Sequence, residues 1–534
     1  MVRAMKRREF LRWGLASAAA GLLPVRGQAA RSMFSPSTAN QDAAWNVSHF
    51  GAKGDGAAID SIAINQAIDA AAKAGGGTVF FPAGVYRSYS IRLKSHVGLF
   101  LDHGAVILAA ENPAAENDPG YDPAEPHNAP GEAYQDFGHN HWHNSLIWGE
   151  GLNDISITGP GMIWGKGLAR GFDFEKDQPD PARPGVGSKA IALKNCRNVI
   201  LRDFTLKAGG WFGILATGVD NLSIDQLAID SNRDGMDIDC CRNVRITSCT
   251  VNTPWDYGIC LKSSYALGYL RATEDVTISN CFVTGNYALG SVADATWKPA
   301  TDLHWPPTGR IKLGTESNGG FRRIVIDNCV FESCRGVAIE SVDGAICEDI
   351  TISNIVMRDV RSAPIFMRLG SRMRAPAGSP IGAIRRVLVS HITSSGAGQI
   401  PSILAGIPDH PIEDIQISDC FFEQVGGGSS AMAALLPAEL ETKYPEPEMF
   451  GAVPATGFYL RHVRNLDLSH VEVRIMEADK RPAIWMRDVE ALRLDDLRLP
   501  MDAPPLNAAA TTHTQITNCS GLPDGTMEKL ETRH

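Results

Sequence analysis

The chain has 534 residues, room for one very large domain or two to four ordinary ones. With 44% apolar and 21% charged residues it has a globular composition, not that of a disordered or fibrous chain. The formal net charge of −10 argues against a nucleic-acid footprint, though not against an acidic substrate, which local cations can hold inside a cleft.

The first segment reads as an export address. "MKRREFLRWGLASAAAGLLPVRGQAA" (5–30) passes from basic residues through a short apolar run to small residues. The run is too short to span a bilayer. Arg7-Arg8 followed by Glu9-Phe10-Leu11 resembles the twin-arginine signal of bacteria. Residues 1–30 are therefore expected to be removed near Ala29 or Ala30, leaving a soluble periplasmic or secreted protein. No later segment reads as transmembrane.

Residues Asp60 to Ala74 carry apolar positions three and four apart, a helix pattern suited to covering the open end of a solenoid. Beyond it a short motif recurs: a polar pair, then apolar-polar-apolar, then a turn. It appears as "NDISITG" (153–159), "RNVILRD" (197–203), "DNLSIDQ" (220–226), "RNVRITS" (242–248) and "EDVTISN" (274–280). It continues as "RRIVIDN" (322–328), "EDITISN" (348–354), "RRVLVSH" (385–391), "EDIQISD" (413–419), "RNLDLSH" (464–470) and "EALRLDD" (490–496). Each is a period-two strand. The tightest spacings run from Val199 to Leu222, from Leu222 to Val244, from Ile324 to Ile350 and from Leu466 to Leu492. The wider gaps are single coils with long loops or pairs of coils. This predicts an all-β parallel β-helix over 45–500 in one domain, with 501–534 as a loose C-terminal cap or tail. Cys249, Cys281, Cys329 and Cys420 share one position of the motif, and Cys196, Cys241 and Cys347 share another. Equivalent positions stack, so these predict ladders of interior thiols rather than disulfides.

Two stretches carry a family resemblance. "FGAKGDG" (50–56), with "AIDAAAKAGGGTVFFPAGVY" (67–86), resembles the opening of pectate-lyase-superfold proteins. "SNRDGMDIDCCRNVRITSCTVNTPWDYGICLKSS" (231–264) is similar to the active-site coils of family 28 glycoside hydrolases, the polygalacturonases and their relatives. The resemblance implies a right-handed β-helix and inverting hydrolysis. Asp234 and Asp237 match the two aspartates of that family's Asn-Thr-Asp-Gly-x-Asp stretch. Aligned from Ile259 and Lys262, Asp256 matches the first of its paired aspartates and Tyr257 replaces the second; aligned without a gap from Asp234, Asp256 matches the second. The family's Gly-His-Gly histidine is missing near 308–320. Its Arg-x-Lys position holds Ala338 and Glu340, and Arg310 and Lys312 spell Arg-x-Lys one coil early.

Paired carboxylates suit glycosidic cleavage, since one protonates the leaving oxygen while the other activates water. A lone aspartate at a solenoid turn is ordinarily a turn residue. The paired motif raises Asp234 and Asp256 above that reading. Asp256 is expected to be the acid and Asp234 the base, with Asp237 in support. Glu316 and Glu340 are candidates for a role that Tyr257 gave up. Lys262, Arg310 and Lys312 are candidates to bind substrate, and Trp142, Trp255, Trp297 and Trp305 to stack on sugars. His141, His143 and His304 lack metal-ligand spacing, and no metal or cofactor is expected. The expected activity is hydrolysis of a pectin-like acidic polysaccharide or oligosaccharide. Inserts at 110–145, 287–308 and 426–457 favour an exo-acting enzyme. A β-helix lyase and a non-catalytic carbohydrate-binding β-helix stay open as alternatives.

Overall fold

All eleven motifs fold as strands that stack in parallel and in register. Their first apolar residues form one ladder: Ile155, Val199, Leu222, Val244, Val276, Ile324, Ile350, Val387, Ile415, Leu466 and Leu492. Every rung is buried, so each coil hides the apolar side of the one before. This computed structural model describes residues 45–114, 119–126, 131–169, 180–301 and 307–532. The expected export segment, His304 and Trp305 lie outside the described residues. The wide gaps are single coils, because Val276 pairs directly with Ile324 and Ile415 with Leu466.

The polar pair that opens each motif is a corner. Its second residue takes a left-handed backbone, with φ of 57° at Asp154, 56° at Asn198, 57° at Asn221 and 55° at Asn243. Asn and Asp tolerate that conformation better than other residues with a Cβ. Their side chains also stack. The Asn198 amide donates to Asp154 at 2.7 Å, Asn221 to Asn198 at 2.8 Å and Asn243 to Asn221 at 3.2 Å.

The helix Ser61–Lys73 turns Ala63, Ile64, Ala67, Ile68 and Ala71 onto the first strands. All eleven cysteines are free and buried, and Cys281 lies within hydrogen-bonding reach of Cys249 and Cys329 on the adjoining coils. The thiol ladder is therefore present. No helix among the described residues is long and apolar enough to cross a membrane.

The expected boundary at 500 needs correction. Leu506–Thr517 is a further coil, with Leu506 paired to Ile484 and Thr514 to Leu492. Gly525–Leu530 then pairs antiparallel with it. The interior here is filled partly by Thr511 and Thr514, both fully buried. Threonine blurs the apolar alternation, so the coil was illegible as a repeat.

A second stack of strands positions the site. It includes Phe212–Thr217, Asp234–Asp239, Ile259–Ser263, Ile311–Ser317, Val337–Ser341 and Ile365–Leu369. Ile214, Met236, Ile259, Ile311, Val337 and Ile365 form its core rungs. The other side reads Leu215, Asp237, Cys260, Lys312, Ala338 and Phe366 in the same register. Inserts cover its apolar ends. Trp142 of the 110–145 insert packs with Leu215, Phe212 and Trp211. Phe450 and Val453 of the 426–457 insert pack with Ala338, Phe366 and Tyr459. The polar middle lies between these two patches.

Candidate active site

Ile259 pairs with Met236, while Val244 pairs with Leu222, so the coil that ends at Ile259 is longer by one position. Tyr257 therefore lies opposite Asp234, and Asp256 opposite Arg233. Asp256, 22 positions after Asp234 in the sequence, is therefore one residue short of its register mate. The chain can approach this closely because Gly235 faces Gly258: a Cβ on Gly235 would meet the Gly258 carbonyl oxygen at 2.6 Å.

The two carboxylates still converge. The backbone N–H of Tyr257 points to Oδ1 of Asp234 at 3.1 Å and to Oδ1 of Asp256 at 3.2 Å. Asp256 also pairs with Arg233 at 3.0 Å. Asp234 is only 3% exposed. Burial, with Asp256 and Asp237 nearby, pushes its pKa well above the usual carboxylate range.

Asp237 is fully buried, and neither of its oxygens has a hydrogen-bond partner among the described residues. The His139 ring lies 3.5 Å from it and the Lys262 ammonium 4.0 Å. Lys262 donates to Glu316 at 2.8 Å. Burial opposes the charge on Lys262, but Asp237 and Glu316 hold its pKa well above the ordinary value. Burial likewise opposes the charge on Glu316, but Lys262, His139 and Arg372 hold its pKa well below the usual range.

A second group adjoins the first. The Tyr257 hydroxyl donates to Glu446 and lies 3.2 Å from the Tyr444 hydroxyl. Lys312 sits 4.0 Å from the centre of the Tyr257 ring and pairs with Glu340 at 3.0 Å. Glu446 also contacts Arg310, Lys312 at 3.3 Å and Arg335 at 3.1 Å. Burial raises Glu340 to about 7, against the opposing pull of Lys312. Glu340 therefore keeps its proton in the fold at pH values where the unfolded chain has lost it. Its stabilising contribution is full below its ordinary pKa of 4.5 and fades as pH rises through about 7. Melting temperature should fall across that window, and Glu340→Gln should flatten this part of the profile in a calorimetric pH series.

The nine residues expected at the site thus face one another in two groups. Asp234, Asp237, Asp256, Lys262 and Glu316 form the first, and Tyr257, Arg310, Lys312 and Glu340 the second. Sequence reasoning missed His139, Arg233, Arg372, Tyr444 and Glu446. His139 comes from the short helix Phe137–Asn140 in the first insert, and its ring lies 4.7 Å from that of Phe212. It brings an imidazole to the acids from outside the solenoid. Its only sequence signal was the run "GHNHWH" (138–143).

Several of the other candidate residues make aromatic contacts. His141 stacks on Phe137 at 3.8 Å and His143 on Trp148 at 4.0 Å. Trp142 is buried, and Trp297 packs on Tyr287 at 5.1 Å. Among the described residues two sets could offer metal ligands: Asp234, Asp237 and Cys260, and Glu125, His143 and Glu150, each with atoms within 4.8 Å of one another. Lys262 already stands beside the first, and Lys194 pairs with Glu150 of the second at 2.9 Å.

Fold and site together define a parallel β-helix with an acidic cluster on the outer face of one strand stack. Residues 44–117 match a family described as rhamnogalacturonase A/epimerase, pectate lyase-like, and residues 184–298 one described as right-handed beta helix region. A probable polygalacturonase of Vitis vinifera is 25% identical over 397 residues, spanning 69% of this chain and 72% of that protein. An exo-poly-alpha-D-galacturonosidase of Dickeya chrysanthemi is 29% identical over 366 residues, spanning 61% of this chain and 56% of that protein. The crystal structure of an exopolygalacturonase from Thermotoga maritima superposes with a TM-score of 0.59 at 19% identity, over 80% of this chain and 91% of that one. The fold is therefore the right-handed parallel β-helix, and the chain is a distant homologue of polygalacturonases.

Proposed function

We propose that the protein is an exported glycoside hydrolase that cleaves O-glycosidic bonds in pectin-like polysaccharides or oligosaccharides. The observation that carries this reading is the convergence of Asp234 and Asp256 on one backbone N–H, with Asp237 and His139 alongside. The homology to polygalacturonases, which are glycoside hydrolases, supports the reaction class.

The electrostatics favour reversing the expected roles. Asp234, whose pKa burial raises well above the usual carboxylate range, is the better proton donor and delivers its proton to the leaving oxygen. Asp256, ion-paired with Arg233, takes a proton from the attacking water, whose oxygen bonds to the anomeric carbon. One product gains the water's OH and the other gains the proton from Asp234. The Asp256 proton then restores the starting state through solvent. Asp237, Lys262 and Glu316 hold the ground between the acids and His139. Inversion follows from the family resemblance.

The inserts packed on both ends of the strand stack support exo action on oligosaccharides. Arg7-Arg8 and the short apolar run support export through the twin-arginine route to the periplasm or beyond. A lyase needs a basic residue free to abstract a proton. Here Arg233, Lys262, Arg310, Lys312, Arg335 and Arg372 are each already paired with a carboxylate, which favours hydrolysis. Incubation with a panel of pectic oligosaccharides and mass analysis of the products decides between them. Products that together gain one water are expected. Products carrying an unsaturated end and no added water would overturn the hydrolase reading.

A further inference from the structure

The second group of the site has an unusual feature: a protein carboxylate fills its cationic cradle. Arg310 and Lys312 are fully buried, and Arg335 is largely so. These three cations and the Tyr257 hydroxyl all meet the Glu446 carboxylate. Three cations and a hydroxyl around one carboxylate make a complete anion-binding pocket. In an empty form it could take the carboxylate of a uronic acid. Here the chain supplies that carboxylate itself.

Glu446 belongs to a fixed wall rather than a swinging lid. Pro445 and Pro447 flank it and are both buried, which restricts the backbone on either side. Phe450 then anchors the segment, with its ring 5.5 Å from Tyr459 and 5.4 Å from the Arg368 guanidinium. The surrounding cations each face a carboxyl group of the protein. Lys312 pairs also with Glu340, Lys262 with Glu316, Arg233 with Asp256, and Arg372 with Asp343. A substrate carboxylate brought here would meet the carboxyl groups of Glu446, Glu340 and Asp256, which these cations already face. Like charges in a buried site repel strongly. By contrast, the half-exposed ring of Tyr444 stands at the rim, with its hydroxyl accepting from Thr315 at 2.9 Å. An aromatic shelf beside hydrogen-bonding carboxylates suits a neutral, hydroxyl-rich sugar ring.

We propose that Glu446 is a resident counter-ion that turns the Arg310/Lys312/Arg335 cradle into a neutral-sugar subsite. The sugar seated against Tyr257 and Tyr444, next to the catalytic acids, then carries no carboxylate. Substrates are mixed or neutral glycans in which a neutral residue sits at this position. This rests on the glycosidase reading and sharpens its substrate class.

The test measures binding, so that it does not depend on turnover. Asp234→Asn protein is titrated by calorimetry with trigalacturonate and with its carboxyl-reduced counterpart, in which each 6-carboxylate has become a hydroxymethyl group. The reduced probe is expected to bind at least ten-fold more tightly. Adding Glu446→Gln should shift the ratio towards trigalacturonate by ten-fold or more. Preference for trigalacturonate while Glu446 is intact overturns the proposal, as does a ratio that Glu446→Gln leaves unchanged. If the Glu446→Gln protein does not fold, the ratio in Asp234→Asn alone decides. Binding of neither probe overturns the carbohydrate-site reading itself, and this inference with it.

Discussion

Asp234→Asn is expected to cut turnover on cleaved oligosaccharides by about 10²- to 10⁴-fold, the usual scale for losing a positioned proton donor. Melting temperature should hold or rise. Asp234 is buried beside two other carboxylates, and burial is the largest cause of its raised pKa. Asn keeps an oxygen for the Tyr257 N–H and cannot ionise, so the hydrogen bond stays and the charge that burial disfavours cannot form. Steady-state kinetics with calorimetry on the same sample reads both effects. A variant with near-normal turnover would remove Asp234 from the acid role. A variant that loses activity only through a lower melting temperature would reassign it to structure.

Lys262→Met should act in the opposite sense, on stability as much as on activity. The side chain is of similar length and fits the same space, but the charge between Glu316 and Asp237 disappears. Both acids are buried, and near them there remain the His139 ring, at 3.8 Å from Glu316 and 3.5 Å from Asp237, and, for Glu316, the Arg372 cation at 3.8 Å. Breaking a buried pair by removing one partner costs about 3–5 kcal/mol. Chemical denaturation of Lys262→Met should show a loss on that scale. Adding Glu316→Gln should recover part of it, because the stranded charge is then gone. A cycle with no coupling between the two positions would make the 2.8 Å ion pair energetically silent.

The two experiments probe different parts of one network. Asp234 sits where burial and like charge favour its protonated form. Lys262 sits where opposite charges hold each other ionised. A site that keeps one carboxylate protonated and another ionised has separated the two roles glycosidic cleavage needs. His139 and Glu446 complete that network from the inserts, and neither insert belongs to the repeating solenoid.

The repeat was legible because a coil must bury an apolar ladder. Val199, Leu222 and Val244 follow one another at nearly equal spacing, and they pair directly. The turn after each of them was legible too, whereas the left-handed corner at the polar pair before it showed only in the structure. Asp234, Asp237, Lys262 and Glu316 were legible as a cluster because register places equivalent positions side by side. The coil beyond 500 was not, because buried Thr511 and Thr514 replace its aliphatics.

Sequence alone determined the β-helix, the face that carries the acids and most of the acids themselves. All three follow from local alternation and coil spacing, which are properties of neighbouring residues. Only the tertiary structure decided that Tyr257 rather than Asp256 stands opposite Asp234, because a one-residue lengthening of the coil is set by how the strands pair. Only it brought His139 and Glu446 to the site, although both are remote in the chain from the Asp237 and Glu316 coils they join. Loop inserts carry no repeat, so their destination depends on packing, here of Trp142 on Phe212 and of Phe450 on Tyr459.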